Sequence, residues 1–295
     1  MSQELADFFQ QLFNALMISG VYALVALGIT VIFGLTGIVK FSIGELLTLG
    51  AFLAFFLWDN SLAYVLAVPL AVLAVGGAAL IMERAAFRFT MQQPINGFIV
   101  SLGLILVLQN LVIEFWGTEA RSIQPPFDGV WDVGGVRMPF QSWFVIWVAV
   151  GIIAALFVAL RYTKFGRAIR ACAEDREAAA LMGIPVDRII TGTFVLGGML
   201  AAVAGALLAS IFTIDPYVGA QFLLKGFAVA LVGGLGNVEG AVIAALLVGT
   251  IETMGAGYFA AEWRDGYTFA LLILILLARP RGLFPAKGRL QETLQ

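Results

Sequence analysis

Apolar runs fill most of this chain, and polar residues break them at a few places. A bilayer-spanning helix needs about 20 mostly apolar residues. Read against that length, the pattern predicts spans over Leu12–Leu35, Leu62–Met82, Asn96–Trp116, Trp143–Leu160 and Ile189–Ile214. Shorter apolar runs lie at Ile43–Trp58, Phe222–Val232, Ala241–Met254 and Thr268–Ala278. The count is nine segments, or eight if the run before Gly233 only dips in and returns. The longest polar interruption is RYTKFGRAIRACAEDREAAALMGIPVDR, residues 161–188. Its second half reads as a very short helix. Asp175 is placed to cap it by accepting orphan amide protons. Glu177 suits the positive end of the helix dipole. Gly183 closes the helix in a left-handed turn, and Pro185 prevents its continuation.

Composition makes this an all-α integral membrane protein. Of 295 residues, 61% are hydrophobic and 12% charged, where soluble domains carry about 25% charged residues. Mean hydropathy is +0.98. The single Cys172 excludes a disulfide within the chain, and the absence of His removes the commonest metal ligand and general base. No metal site is expected. The first residues, MSQELADFFQQ, lack the positive region of a signal peptide, so the first span is expected to stay in the mature protein.

Charge placement sets the topology. With the central stretch on the cytoplasmic side and alternation outward, that side holds thirteen of the seventeen Lys and Arg residues. They are Lys40, Arg84, Arg88, Arg161, Lys164, Arg167, Arg170, Arg176, Arg188, Arg279, Arg281, Lys287 and Arg289. Arg121, Arg137, Arg264 and Lys225 fall outside. The bias favours an external N-terminus and a cytoplasmic C-terminus.

Three features inside the apolar regions are candidates for chemistry or packing. Small residues recur four apart at Gly197, Ala201, Gly205 and Ala209, and again at Ala241, Ala245 and Gly249. Such stripes let another backbone approach closely, either within one subunit or along a pathway or subunit interface. Two Gly-rich interruptions, GLTGIVKFSIGE (34–45) and GGLGNVEG (233–240), read either as tight turns or as non-helical joints of broken helices. Joints of that kind mark substrate sites in many transporters. Their candidate residues are Gly34, Gly37, Ser42, Glu45, Gly233, Gly234, Gly236, Asn237 and Glu239. Glu252, an acid within an apolar run, is either a residue near a helix end or a pathway group. Lys225 either snorkels outward or meets an acid of the substrate or a partner. The chain lacks a P-loop, a GxSxG turn, a regular Arg series and a TVGYG-like filter. A non-catalytic membrane subunit follows. A stand-alone secondary transporter and a scaffold are the competing classes.

Four blocks are similar to the branched-chain amino acid ABC importer permeases. They are ALMISGVYALVALGITVIFGLTGIVKFSIGELLTLGAF (15–52), GRAIRACAEDREAAALMGIPVDRIITGTFVLGGMLAAVAGAL (166–207), VGGLGNVEGAVIAALLVGTIE (232–252) and RPRGLFP (279–285). Where the family often reads NFAHGE, this chain reads KFSIGE, so Ser42 and Ile43 replace Ala and His. The likeness is strongest to the first of that system's two permease subunits. It implies one permease domain over residues 1–295, with a type II-like importer fold in a bacterial inner membrane. It also implies a second homologous permease, two ATP-binding subunits and a periplasmic substrate-binding protein as partners, and no nucleic acid. ATP and magnesium would sit on those subunits, with no cofactor on this chain. The coupling helix is implied at Glu174, Asp175, Arg176, Glu177, Ala178, Ala179, Leu181 and Gly183. Related permeases carry Leu, Ile and Val, other amino acids, or urea and short amides. A pathway of Gly, Ala, Ser and Thr suits a small neutral or zwitterionic solute with an apolar part.

Overall fold

The computed structural model describes residues 3–90, 94–124, 127, 129–133 and 135–285. Eleven α-helices make up almost all of it. They are α1 (Gln3–Thr36), α2 (Ile43–Asp59), α3 (Tyr64–Ala85), α4 (Pro94–Trp116), α5 (Phe140–Tyr162), α6 (Lys164–Glu174), α7 (Arg176–Leu181), α8 (Val186–Leu208), α9 (Val218–Gly233), α10 (Val238–Tyr258) and α11 (Arg264–Ala278). Each expected apolar segment is a helix. Six (α1, α3, α4, α5, α8 and α10) are long and apolar enough to cross a membrane. α2, α9 and α11 have 17, 16 and 15 residues.

Three expectations need correction. The sixth span stops at Leu208, not Ile214, because the chain turns at Ala209 and Ser210 and leads on to a bridge between Ile214 and Arg121. The connection after α4 holds an antiparallel hairpin, β1 (Val130–Val133) and β2 (Val136–Pro139). The first half of the central stretch is also helical, forming α6.

α1 and α8 form the axis of the bundle, and α2, α9, α10 and α5 pack around them. Most of α1 and α8 is buried, whereas α4 and α5 turn most of their surface outward. The glycines explain the close axes. Gly28 on α1 meets the Gly197 backbone of α8, with a Cβ-to-carbonyl distance of only 2.8 Å had Gly28 been alanine. A Cβ at Gly205 would stand 2.0 Å from the Leu47 carbonyl oxygen on α2. Gly249 lies against Ser19 of α1, and Ala201, Ala209, Ala241 and Ala245 are fully buried. Both small-residue stripes therefore serve packing within this chain.

The helix ends sort into two sets. At one, the Leu283 amide donates to Val232 O, the Arg176 guanidinium reaches Leu35 O, and Gly34 packs on Gly236. Arg84, Arg88, Asp187 and Arg188 meet there as well. At the other, Ile123 N donates to Ala209 O, Tyr64 Oη donates to Ala206 O, and Arg137 N donates to Gln10 Oε1. This sorting matches the alternation expected from the bases. Lys287 and Arg289 lie outside the described residues.

Candidate functional site

The central polar stretch folds as two short helices at one end of the bundle. Thr163 caps α6, its Oγ1 accepting from Gly166 N at 3.0 Å. Ile169 and Cys172 on one side of α6 are buried with Leu35, Ala179, Ile189 and Ile190. Lys164, Arg167 and Arg170 remain exposed on the other side. Asp175 ends α6 and caps α7: its Oδ1 accepts from Glu177 N at 2.9 Å and from Ala178 N at 3.1 Å. Gly183, at φ +81°, closes α7 in the left-handed region, where a glycine carries no Cβ penalty. The Ile184 amide then donates to Ala179 O. The cap, the stop and the first-turn acid all stand as their sequence signals indicate.

One face of α7 is anchored and the other is bare. Ala179 is buried, and Arg176 is bound to the carbonyl of Leu35 in the last turn of α1, where a cation also suits the dipole. Leu181 and Met182 are 88% and 83% exposed, while Glu174, Glu177 and Ala178 also face outward. The result is a capped knob, tied to α1 and presenting apolar and acidic groups away from the bundle.

A non-helical connector runs from Gly37 (φ +68°) to Ser42 and leads into α2. Its Lys40 is 4% exposed, with its ammonium 4.2 Å and 4.5 Å from the ring centres of Phe87 and Phe194. Burial pushes that ammonium down to about 8, Glu83 opposes the shift, and Arg176 adds to it. Cation–π contacts are worth about 0.5–2 kcal/mol each. A buried ion costs several kcal/mol to desolvate. The two rings therefore leave Lys40 undercompensated, and no described carboxylate lies within ion-pair distance of it.

The start of α2 is set beside the interior of α4. Ser42 N donates to Ser101 Oγ at 2.8 Å, and Gln109 Nε2 donates to Glu45 Oε1 at 2.9 Å. Gln109 stands roughly 22 Å along α4 from its first residue, at 1.5 Å per residue. Glu45 is 1% exposed, and its Oε2 and the Ser42 Oγ have no hydrogen-bond partner among the described residues. A carboxylate buried this way is costly. The first turn of α2 offsets part of that cost through its dipole.

The Gly-rich stretch after α9 is a tight turn between two antiparallel helices, which decides against a joint within one broken helix. Gly233 and Gly240 touch backbone to backbone, and Gly234 (φ +97°) and Gly236 (φ +87°) make the reversal. Asn237 caps α10, with Oδ1 accepting from Gly240 N at 2.9 Å, and its Nδ2 donates to Phe284 O at 3.0 Å. Glu239 is exposed in the first turn of α10, as a helix-cap acid would be.

Glu252 forms a third centre, toward the opposite end of α10. It is fully buried and takes four donors: Tyr22 Oη at 2.8 Å, Lys225 Nζ at 2.9 Å, Arg264 Nε at 2.7 Å and Thr268 Oγ1 at 2.7 Å. Lys225 also meets Asp265 at 2.7 Å. Two cations thus face two carboxylates, and four helices are tied together. This corrects the expectation for Lys225: its acids belong to this chain, and its side chain is only 12% exposed.

The candidates therefore fall in four places. Glu174 to Gly183 form the knob. Gly34 packs on the turn of Gly233, Gly234, Gly236 and Asn237, with Gly37 close by in sequence. Ser42 and Glu45 meet α4, and Glu252 sits in its own network. Sequence reasoning missed Ser101, Gln109, Tyr22 and Thr268. Ser101 and Gln109 carried a signal, being polar residues within an apolar span. Arg264 and Thr268, four apart at the start of α11, carried a helical one.

A family model described as branched-chain amino acid transport system / permease component matches residues 11–276. The chain belongs to this family. The high-affinity branched-chain amino acid transport system permease protein LivH of Salmonella typhimurium is 35% identical, over 96% of this chain and 97% of its own length. BraD of Pseudomonas aeruginosa, a permease protein of the same description, is 33% identical over 95% and 96%. The ribose import permease protein RbsC of Haemophilus influenzae is 27% identical over 83% of this chain and 78% of its own. As a family member it is a multi-pass membrane permease component, in keeping with its six long apolar helices.

Proposed function

We propose that this chain is the translocation subunit of an ATP-driven importer of branched-chain amino acids, and that α7 couples it to the ATP-binding subunits. One observation carries the coupling reading. α7 is a capped helix whose inner face is fixed to α1 through Arg176 and whose Leu181 and Met182 stand free. A rigid helix transmits a push that a loose loop would absorb. Residues Glu174, Asp175, Arg176, Glu177, Ala178, Ala179, Leu181 and Gly183 supply the contact and the cap. The whole chain acts as one permease domain beside a homologous second permease, with a substrate-binding protein delivering solute to the hairpin end. ATP and magnesium belong to the ATP-binding subunits, and this chain catalyses no reaction itself. It sits in a bacterial inner membrane with the N-terminus outside and the α7 end in the cytoplasm, as the excess of bases at that end favours.

Ser42 and Glu45 are the pathway residues this reading favours. They are polar, buried and placed beside α4, whose outer surface is free for a second permease. Branched-chain amino acids are the substrate best supported, through the LivH and BraD relatives. Other amino acids or short amides are the alternative substrates.

The test is uptake by the assembled transporter. Glu177→Arg and Gly183→Pro are expected to abolish uptake and substrate-stimulated ATP hydrolysis while the protein still reaches the membrane folded. Normal stimulated hydrolysis in both variants sinks the coupling role.

A further inference from the structure

An open cleft of about 670 Å³ lies between the last turns of α3 and the first turns of α8. That is within the range of about 300–1,000 Å³ that ligand sites occupy. Three bases line it: Arg84 from the last turn of α3, Arg88 from the single turn Phe87–Thr90 that follows, and Arg188 from the first turn of α8. All three are exposed. None of their guanidinium groups has a hydrogen bond or ion pair among the described residues.

Two acids line the cleft as well. Glu83 is 1% exposed and accepts the Thr191 hydroxyl at 2.8 Å. Asp187 stands in the first turn of α8, where the helix dipole favours it. Three bases against two acids leave a net positive charge, and one of the acids is turned inward and already bonded.

Away from this charged end the walls are apolar. Leu80 and Val195 line the cleft itself. Along α3, Leu73, Gly77, Leu80 and Arg84 follow at helical spacing and share one face. Leu73 and Gly77 are exposed, and no atom lies within 4 Å of the Cβ position of Gly77. The bare glycine leaves room for a chain to lie along the span.

A soluble anion would meet the charges and leave the apolar walls to water. A lipid with an anionic head group meets both. Basic pockets between membrane helices take such head groups. We infer that the cleft between α3 and α8 binds one anionic phospholipid, with its phosphate among Arg84, Arg88 and Arg188 and an acyl chain along Leu80, Gly77 and Leu73. The inference needs only that the chain spans a membrane, and it is independent of the coupling role of α7 and of the substrate.

The full chain, purified with whatever subunits accompany it, is titrated in a neutral detergent with equal amounts of dioleoyl phosphatidylglycerol and dioleoyl phosphatidylcholine. Native mass spectrometry counts the lipids retained. One held phosphatidylglycerol is expected, preferred over phosphatidylcholine by about fivefold, the effect of roughly one net base near a membrane surface. Arg84→Gln combined with Arg188→Gln is expected to abolish the preference. Arg161→Gln combined with Lys164→Gln removes the same charge from exposed positions on α5 and α6 and is expected to keep it. Gly77→Leu retains all three guanidinium groups and has open space for its side chain. It is expected to lower phosphatidylglycerol retention, and it carries the test if the double Arg variant does not fold. No preference in the native chain, an equal loss in the charge-matched control, unchanged retention in Gly77→Leu, or displacement of the lipid by glycerol phosphate at equal concentration overturns the inference.

Discussion

Among the described residues, Glu252 is the most heavily bonded side chain, with four donors around a fully buried carboxylate. Removing one partner of a buried ion pair strands the others, at a cost of about 3–5 kcal/mol. Glu252→Ala is therefore expected to lower thermal stability markedly, because Lys225 loses one of its two acids and Arg264 the one acid it meets among the described residues. Thr268→Val removes one hydrogen bond to that carboxylate and is expected to cost less, about 1.5–3 kcal/mol. Thermal unfolding of both variants in one detergent checks the order. Lys40 gives a pH prediction. Its folded value of about 8 lies below the ordinary 10.5, so between those two values the unfolded chain binds more protons than the folded one. Stability from this group rises with pH across that window and is flat below it. Subtracting the profile of Lys40→Met isolates the rise; identical profiles refute it. Residue type alone marked Glu252 and Lys225 as unusual in apolar runs. It did not reveal that they are partners, because 27 residues and a helix reversal separate them in the chain.

Glycine spacing governs how close these helices come. α2 and α8 meet where a Cβ on Gly205 would lie 2.0 Å from a backbone oxygen, an atom that cannot rotate away. Gly205→Val is expected to force the two helices apart and abolish recovery of folded protein. Gly151 on α5 has nothing within 4 Å of its Cβ position. Gly151→Ala is expected to be neutral or to stabilise by up to about 1 kcal/mol through helix propensity. Comparing yields and melting points of the two variants checks the contrast; equal losses would refute it. At this scale the sequence was most informative about α7. Its cap at Asp175, its acid at Glu177 and its stop at Gly183 are local signals, and local hydrogen bonds realise them. It was least informative about α6. Its three bases, Lys164, Arg167 and Arg170, read as a solvated loop, although Ile169 and Cys172, three apart, already marked a buried side. The hairpin of β1 and β2 gave only weak warning, because its strands have four residues each.

Across the whole molecule, the two sets of helix ends predict a single orientation. With Cys172→Ser as background, Ala178→Cys is expected to react with an impermeant maleimide only after the inner membrane is opened, and Glu119→Cys in intact spheroplasts. The reverse pattern would invert the topology. The apolar runs by themselves determined that the chain is a membrane bundle and where its helices lie, because a segment without water must satisfy its backbone internally, and only a helix does so within one stretch. The bases determined which ends belong together. Tertiary structure alone decided that the small-residue stripes face inward, that GGLGNVEG is a turn, and that Ser42 and Glu45 meet the middle of α4. Each of those facts depends on which helix lies beside which. Helices in an apolar medium choose neighbours by shape, through contacts such as Gly28 on Gly197 and Gly44 on Gly219. Such complementarity arises between surfaces far apart in the chain, so no local pattern of residues records it.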